Sequence, residues 1–220
     1  MNETIRQRKE RSIWSKQAAG YDRRTMRIYE EAYALSIRKA RAVLSPEHRV
    51  LEIGCGTGII ALGIAPHAAH VMGTDISPEM IEVARRKAEQ QALSNVAFRV
   101  SDGYALPFEE CTFDSVLVFN TLHVVKEPQA LLGEAHRLLK PSGHLVSATD
   151  CYAEPVPFPT RLKLEVQRLL HRVGVIPFTS YFTQEDLRRL IERCAFEVVE
   201  TDVLHAAPVN AYVLARKGNS

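Results

Sequence analysis

Apolar positions along the chain follow two rhythms. Residues 3–19 are polar and basic, with a weak stripe of Ile5, Ile13, Trp14, Ala18 and Ala19 that suits a helix, broken at Gly20-Tyr21-Asp22. In residues 25–44, Met26, Tyr29, Ala32, Tyr33, Ile37, Ala40 and Val43-Leu44 recur at three- and four-residue steps, which predicts an amphipathic helix ended by Ser45-Pro46. From Arg49 the rhythm changes. Short apolar runs at 50–53, 70–74, 95–100, 113–119 and 144–149 read as strands, separated by helical patterns at 58–65, from Pro78 to about Gln91, and from Glu127-Pro128 through Leu139. Ser77-Pro78-Glu79 is a helix start, with a capping hydroxyl, proline at the first position and an acid in the first turn. In that helix Met80, Ile81, Ala84 and Ala88 face inward. The run at 113–119 is apolar apart from Asp114 and Ser115, as in a strand buried on both faces. Lys140-Pro141-Ser142-Gly143 reads as a turn.

Strands alternating with helices predict a parallel α/β sheet, and right-handed crossovers place the strand ends near 53, 75, 102 and 119 along one edge. Ligands of such sheets bind outside those carboxyl ends. Residues 151–182 depart from the rhythm: prolines at 155, 157, 159 and 177 flank a short amphipathic helix at about 160–172, the pattern of an insert covering a site. Thr183 with Asp186 three residues on starts a capped helix to Cys194, and 196–201 and 209–215 form a closing hairpin linked through Pro208. The organisation expected is a helical cap at 1–44, a ligand-binding core at 45–150, the insert at 151–182, and a C-terminal helix and hairpin at 183–220 completing the same domain.

The chemistry gathers at the strand ends. Glu52 lies in the first strand, followed by Gly54, Gly56 and Gly58 alternating with small residues and then by the apolar helix that starts at Ile59. Strand, glycine turn and helix let a ligand lie on bare backbone. A dinucleotide fingerprint is G-x-G-x-x-G; here the third glycine comes one residue early and Ile59 takes its place, which counts against a nicotinamide oxidoreductase. Asp75 ends the second strand, where a carboxylate accepts from ribose hydroxyls. It also suits capping of the next helix, a role Ser77 already fills. Ile76 offers an apolar face to a base. Asp102, after the third strand, accepts from an exocyclic amine, with an Asx turn before Gly103 as its plainer role. Asn120 follows the fourth strand, where the Gly54 turn converges.

Four segments, 50–58, 71–77, 101–108 leading to 113–125, and 138–146, resemble the successive motifs of class I S-adenosylmethionine (SAM) dependent methyltransferases, in order and spacing over nearly all of 49–150. Leu106-Pro107-Phe108, Phe113-Asp114, Asn120-x-x-His123 and Leu139-Lys140-Pro141-x-Gly143 are similar to the small-molecule, methyltransferase type 11 branch, which includes ubiquinone and menaquinone C-methyltransferases and phosphoethanolamine or sarcosine-type N-methyltransferases. Ala18-Ala19-Gly20-Tyr21-Asp22 resembles that branch's segment whose tyrosine closes over the cofactor. The resemblance implies a Rossmann-like doubly wound sheet of order 3-2-1-4-5-7-6, the last strand antiparallel, with helices on both faces. It implies SAM as cofactor and methyl transfer by in-line displacement. Gly54 and Gly56 would approach the methionine part, with Glu52 supporting the turn. Asp75 would hold the ribose, Ile76 pack on adenine, Asp102 and Gly103 read the adenine edge, and Asn120 lie near the sulfonium. His123 is the candidate general base for an acceptor that holds a proton at attack, and Tyr21 its candidate assistant; a structural histidine and a core tyrosine are the plainer accounts. A SAM-binding module without catalysis would carry the same motifs.

Totals refine this little. Hydrophobic content of 46% and charged content of 25% are those of a soluble globular chain. The net charge of +2 is too small to argue for nucleic acid, and the Asn-Pro-Pro-aromatic motif of nucleic-acid amino-methyltransferases does not follow the fourth strand. Residues 1–43 carry 11 basic and 5 acidic residues, read as solvated helix faces rather than an anion-binding surface. Cysteines 55, 111, 151 and 194 lack metal-site spacing and read as reduced thiols. No signal peptide or membrane span is legible, so a cytoplasmic monomer or homodimer with a small-molecule acceptor, no metal, no nucleic acid and no integral membrane association is expected. Acceptor choice falls to 1–44 and 151–182, where Tyr152, Phe158, Phe178, Tyr181 and Phe182 suit either lid packing or an aromatic pocket for a quaternary amine or flat ring.

Overall fold

Strand β1 (Arg49–Ile53) shows how the chain layers itself. Val50 packs on one face of the sheet, Leu51 and Ile53 on the other, and all three are buried. The same alternation holds in β4 (Phe113–Phe119): Leu117 and Phe119 join the first core, Val116 and Val118 the second. A strand apolar on both faces needs cover on both, and helices provide it. In this computed structural model, which describes residues 5–155, 165–166 and 178–218, the first core is closed by α2 (Tyr21–Ala42), α3 (Ile59–Ile64) and α4 (Pro78–Gln90). The second is closed by α5 (Pro128–Leu138) and α6 (Gln184–Arg193). A further helix, α1 (Ile5–Ala18), precedes these.

The remaining strands are β2 (His70–Asp75), β3 (Val96–Val100), β5 (Leu139–Cys151), β6 (Phe196–Ala206) and β7 (Val209–Lys217). Their order is β3-β2-β1-β4-β5-β7-β6, with β7 antiparallel to both neighbours and the rest of the central pairings parallel. The expected doubly wound sheet is therefore the one observed.

Element ends differ in places. Gly20 alone adopts the left-handed backbone that separates the first two helices, and Tyr21 already begins α2. Strand β5 starts at Leu139, which pairs with Phe113, rather than at His144; the stretch expected as a turn is taken up where the register shifts between Phe113 and Ser115. The final hairpin is longer than the apolar pattern indicates, because much of β6 is solvent-exposed. The helix expected at about 160–172 lies largely outside the described residues; Glu165 and Val166, which are described, are helical and exposed.

Candidate functional site

The carboxyl ends of β1, β2 and β4 converge on a cleft of about 930 Å³. The turn after β1 begins with Gly54, whose N–H donates to the Thr74 carbonyl at 2.7 Å. Gly54, Gly56 and Gly58 all have positive φ (75°, 51° and 78°). Gly58 caps α3 and has no side chain to satisfy the helix's first N–H groups. Glu52 supplies the acceptor from within β1, taking a hydrogen bond from the Ala61 main chain. It is 2% exposed and borders the cleft, and its buried Oε2 has no hydrogen-bond partner. Burial pushes its carboxyl up to about 8, with the charge of Asp75 adding to the shift.

Asp75 holds two parts of the rim together. Its Oδ2 accepts from Gly56 N at 2.9 Å and its Oδ1 from Ser77 N at 2.9 Å. Ser77 Oγ in turn accepts from Met80 N at 3.1 Å, the expected cap of α4. Burial raises the Asp75 carboxyl above its ordinary value. The carboxylate also takes a hydrogen bond from the Ile76 main chain, which leaves acceptor capacity for one further donor. Ile76 lies beside it in the cleft wall.

Across the cleft, Asp102 accepts from Tyr104 N at 3.2 Å, the expected Asx turn, and from the Gln7 amide of α1. Gly103 (φ 81°) is buried against Ile53. The loop that follows is pinned by α5. Glu134 Oε1 accepts from Leu106 N at 2.7 Å, while Arg137, paired with Glu134 at 2.7 Å, donates to the Leu106 and Phe108 carbonyls. Helix α1 roofs this side, placing Glu10 and Trp14 in the lining and Ser15 against Ser77 and Glu79.

At the end of β4, Asn120 adopts a left-handed backbone (φ 51°), and its N–H donates to the Ala148 carbonyl at 2.7 Å. Its side chain is the centre of a polar network. Asn210 donates to Asn120 Oδ1 at 2.8 Å, and Asn120 Nδ2 donates to the Tyr33 hydroxyl at 3.4 Å. Tyr33 is hydrogen-bonded to Tyr21, which also pairs with Thr25. Asn210 also donates to Asp150 Oδ1 at 2.7 Å, and Tyr152 donates to Asp150 Oδ2 at 3.0 Å. Burial pushes the Tyr21 and Tyr33 hydroxyls above the usual tyrosine value, so both stay protonated.

A second cavity, of about 580 Å³, adjoins the first; Trp14, Tyr21, Tyr33 and Asn120 line both. His123 lies in the second, 6% exposed, its ring edge-on to Tyr152 with centroids 5.6 Å apart. Its Nδ1 has no partner, and burial lowers its pKa, leaving it neutral near pH 7. Tyr21 pairs with Tyr33 and Thr25, while sharing the second cavity with His123.

The ten residues given cofactor or catalytic roles from the sequence, Glu52, Gly54, Gly56, Asp75, Ile76, Asp102, Gly103, Asn120, His123 and Tyr21, thus border one cavity or the other. Tyr33, Asp150, Asn210 and Trp14 were not foreseen as site residues. Only Tyr33 and Trp14 had a sequence signal, as apolar-stripe positions. Of the insert aromatics, Tyr152 packs on His123 and Tyr181, Phe182 joins the second core, and Phe158 lies outside the described residues. Among the described residues no group of three or more His, Cys, Asp or Glu could hold a metal ion, and no helix is long and apolar enough to cross a membrane.

A family model described as a methyltransferase domain matches residues 51–147. The chain is 32% identical over 144 residues to the uncharacterized methyltransferase YcgJ of Bacillus subtilis, covering 66% of this chain and 56% of that protein. It is 27% identical to a demethylmenaquinone methyltransferase of Tropheryma whipplei, covering 85% and 83%. The chain thus spans little more than half the length of the first of these relatives. Its fold is that of a chain in the Haloferax volcanii complex between the Trm112 methyltransferase activator and a methyltransferase, with a TM-score of 0.78, 17% identity and coverage of 96% and 98%.

Proposed function

We propose that the chain is a class I SAM-dependent methyltransferase of the type 11 branch, and that it moves a methyl group from SAM to a small-molecule acceptor by in-line displacement, leaving S-adenosylhomocysteine; the methyltransferase-domain model matched over residues 51–147 supports this reading. The observation that carries this reading is the junction of two cavities at Tyr21, Tyr33 and Asn120, one walled by the glycine turn and two strand-tip acids, the other by His123.

The residues present suit the donor. A Cβ at Gly56 would meet nothing within 4 Å, so the main chain there lies open to the cleft. Glu52, its carboxyl pushed up to about 8 by burial and by the charge of Asp75, borders this cleft, and a cationic ligand there would favour its ionised form. Asp75 holds the ribose, Ile76 covers the adenine, Asp102 and Gly103 read its edge, and Gly54, Gly56 and Asn120 border the methionine end. When bound, SAM supplies a methyl already activated on a sulfonium. The protein's part is to align the acceptor and exclude water, and helix α1 contributes by roofing the cleft. His123, neutral and bordering the second cavity, takes a proton from an acceptor that carries one. Tyr21 keeps its proton and orients the junction through Tyr33.

Calorimetry with SAM and with S-adenosylhomocysteine tests the reading. Both bind the wild type. Asp75→Ala weakens SAM by tenfold or more, about 1.4 kcal/mol. A chain that binds neither compound, or a variant of unchanged affinity, contradicts the assignment.

A further inference from the structure

The second cavity has a charge character of its own. Its described lining contains one carboxylate, Asp150, and neither lysine nor arginine. Trp14, Tyr21, Tyr29 and Tyr33 supply four aromatic rings. Asp150 is oriented by two donors, Asn210 on Oδ1 and Tyr152 on Oδ2, and each oxygen can accept once more. A carboxylate or phosphate ligand would meet Asp150 with no basic side chain to offset it. A neutral phenol or quinol could donate a hydrogen bond to the acid but brings no positive charge to meet it. A cation gains twice, by pairing with Asp150 and by lying over aromatic faces.

Resting on the methyltransferase reading above, we propose that this cavity takes a small cationic amine with an apolar or aromatic body, and that this amine is the methyl acceptor. The chemistry balances with the groups present. The ammonium loses a proton to the neutral imidazole of His123, which borders the cavity, and its lone pair is freed. That pair forms the N–C bond as the C–S bond of the donor breaks, the electrons going to sulfur. The product leaves as a methylated ammonium, and the His123 proton returns to water. Among the described residues the tryptophan and tyrosine lining comes from α1 and α2, while the carboxylate that reads the charge, Asp150, stands on β5.

Trp14 is the chain's only tryptophan and borders both cavities, so its fluorescence reports their occupancy. The wild-type chain, saturated with S-adenosylhomocysteine, is titrated with phenethylamine, phenethyl alcohol and phenylacetate, which share a body and differ in charge. The amine should bind about tenfold or more tighter than the alcohol, and the acid weakest. In Asp150→Asn the amine should fall to the level of the alcohol while S-adenosylhomocysteine affinity is unchanged. No preference for the amine in the wild type, no binding by any of the three, or a preference retained in Asp150→Asn overturns the proposal. The wild-type series stands without the variant should that fail to fold. Failure of S-adenosylhomocysteine itself to bind would instead overturn the methyltransferase reading.

Discussion

A methyl group added at Gly54 would stand 2.2 Å from Thr121 Oγ1, and Thr121 is buried with its hydroxyl held by the Phe119 carbonyl at 3.0 Å. At Gly56 the same methyl group meets open space. Both residues have positive φ, which costs an alanine about 1 kcal/mol. Gly54→Ala adds overpacking, so its total cost should reach about 2–4 kcal/mol, whereas Gly56→Ala should stay near 1. Thermal unfolding should rank them in that order, and calorimetry should find SAM affinity reduced in Gly56→Ala although its fold is nearly intact. Equal melting losses would contradict the distinction. Glu52 carries a pH signature. Its folded-state carboxyl titrates at about 8, against an ordinary 4.5. Below about pH 4.5 both states are protonated and its contribution is fully present. As pH rises towards 8 the unfolded chain ionises first, so stability is lost across that window. Glu52→Gln has no proton to lose. The Tm of the ligand-free wild type should therefore fall relative to the variant between about pH 5 and 8, and parallel curves would refute a neutral Glu52.

Helix α6 forms because its start is satisfied locally. Thr183 Oγ1 accepts from Asp186 N at 3.0 Å, and the Asp186 carboxylate accepts from Thr183 N at 3.0 Å, a closed capping box. Leu187, Leu190 and Ile191 then fall on the buried face. Thr183→Ala should cost about 1 kcal/mol by denaturant unfolding and leave SAM affinity unchanged, since α6 covers the sheet away from both cavities. Any loss of SAM affinity would show that α6 supports the site. Elements of this kind are legible in a sequence, because cap, periodicity and buried face agree within a dozen residues. The same holds for Ser77 with α4 and for the doubly buried β4. The ends of β5 and β6 were less legible for opposite reasons. Lys140 is polar for a strand but is held there by Asp114, at 2.7 Å, which also accepts from Arg49 N at 2.8 Å and so joins the starts of β1, β4 and β5. Beyond Thr201, β6 is mostly exposed and leaves no apolar alternation to read.

At the scale of the molecule, the residues lining the cleft at the strand ends were readable and those of the adjoining cavity mostly were not. Glu52, Asp75, Asp102 and Asn120 sit at or near strand ends, and a parallel sheet brings such ends together whatever lies between them. Tyr33, Asp150 and Asn210 meet Asn120 or one another across 60 to 90 residues of chain, with no local pattern to announce it. Their convergence depends on how α2 and β7 dock on the sheet. That docking gives the network a testable collective property. Asn210 fixes the Asn120 carbonyl, and Asn120 turns its amide to Tyr33, which holds Tyr21. If the side chains act as one unit, removing either end releases the middle, and removing the second end then costs little more. Asn210→Ala and Tyr33→Phe should each lower methyl transfer, and the double variant should fall short of the summed losses by about 0.5–3 kcal/mol in kcat/KM. Because Tyr33 and Asn120 also border the cleft proposed for SAM, the comparison is made at saturating SAM, so that the coupling is read in acceptor turnover alone. Strict additivity would mean that α2 and β7 bear on the junction separately, and that Asn120 transmits nothing between them.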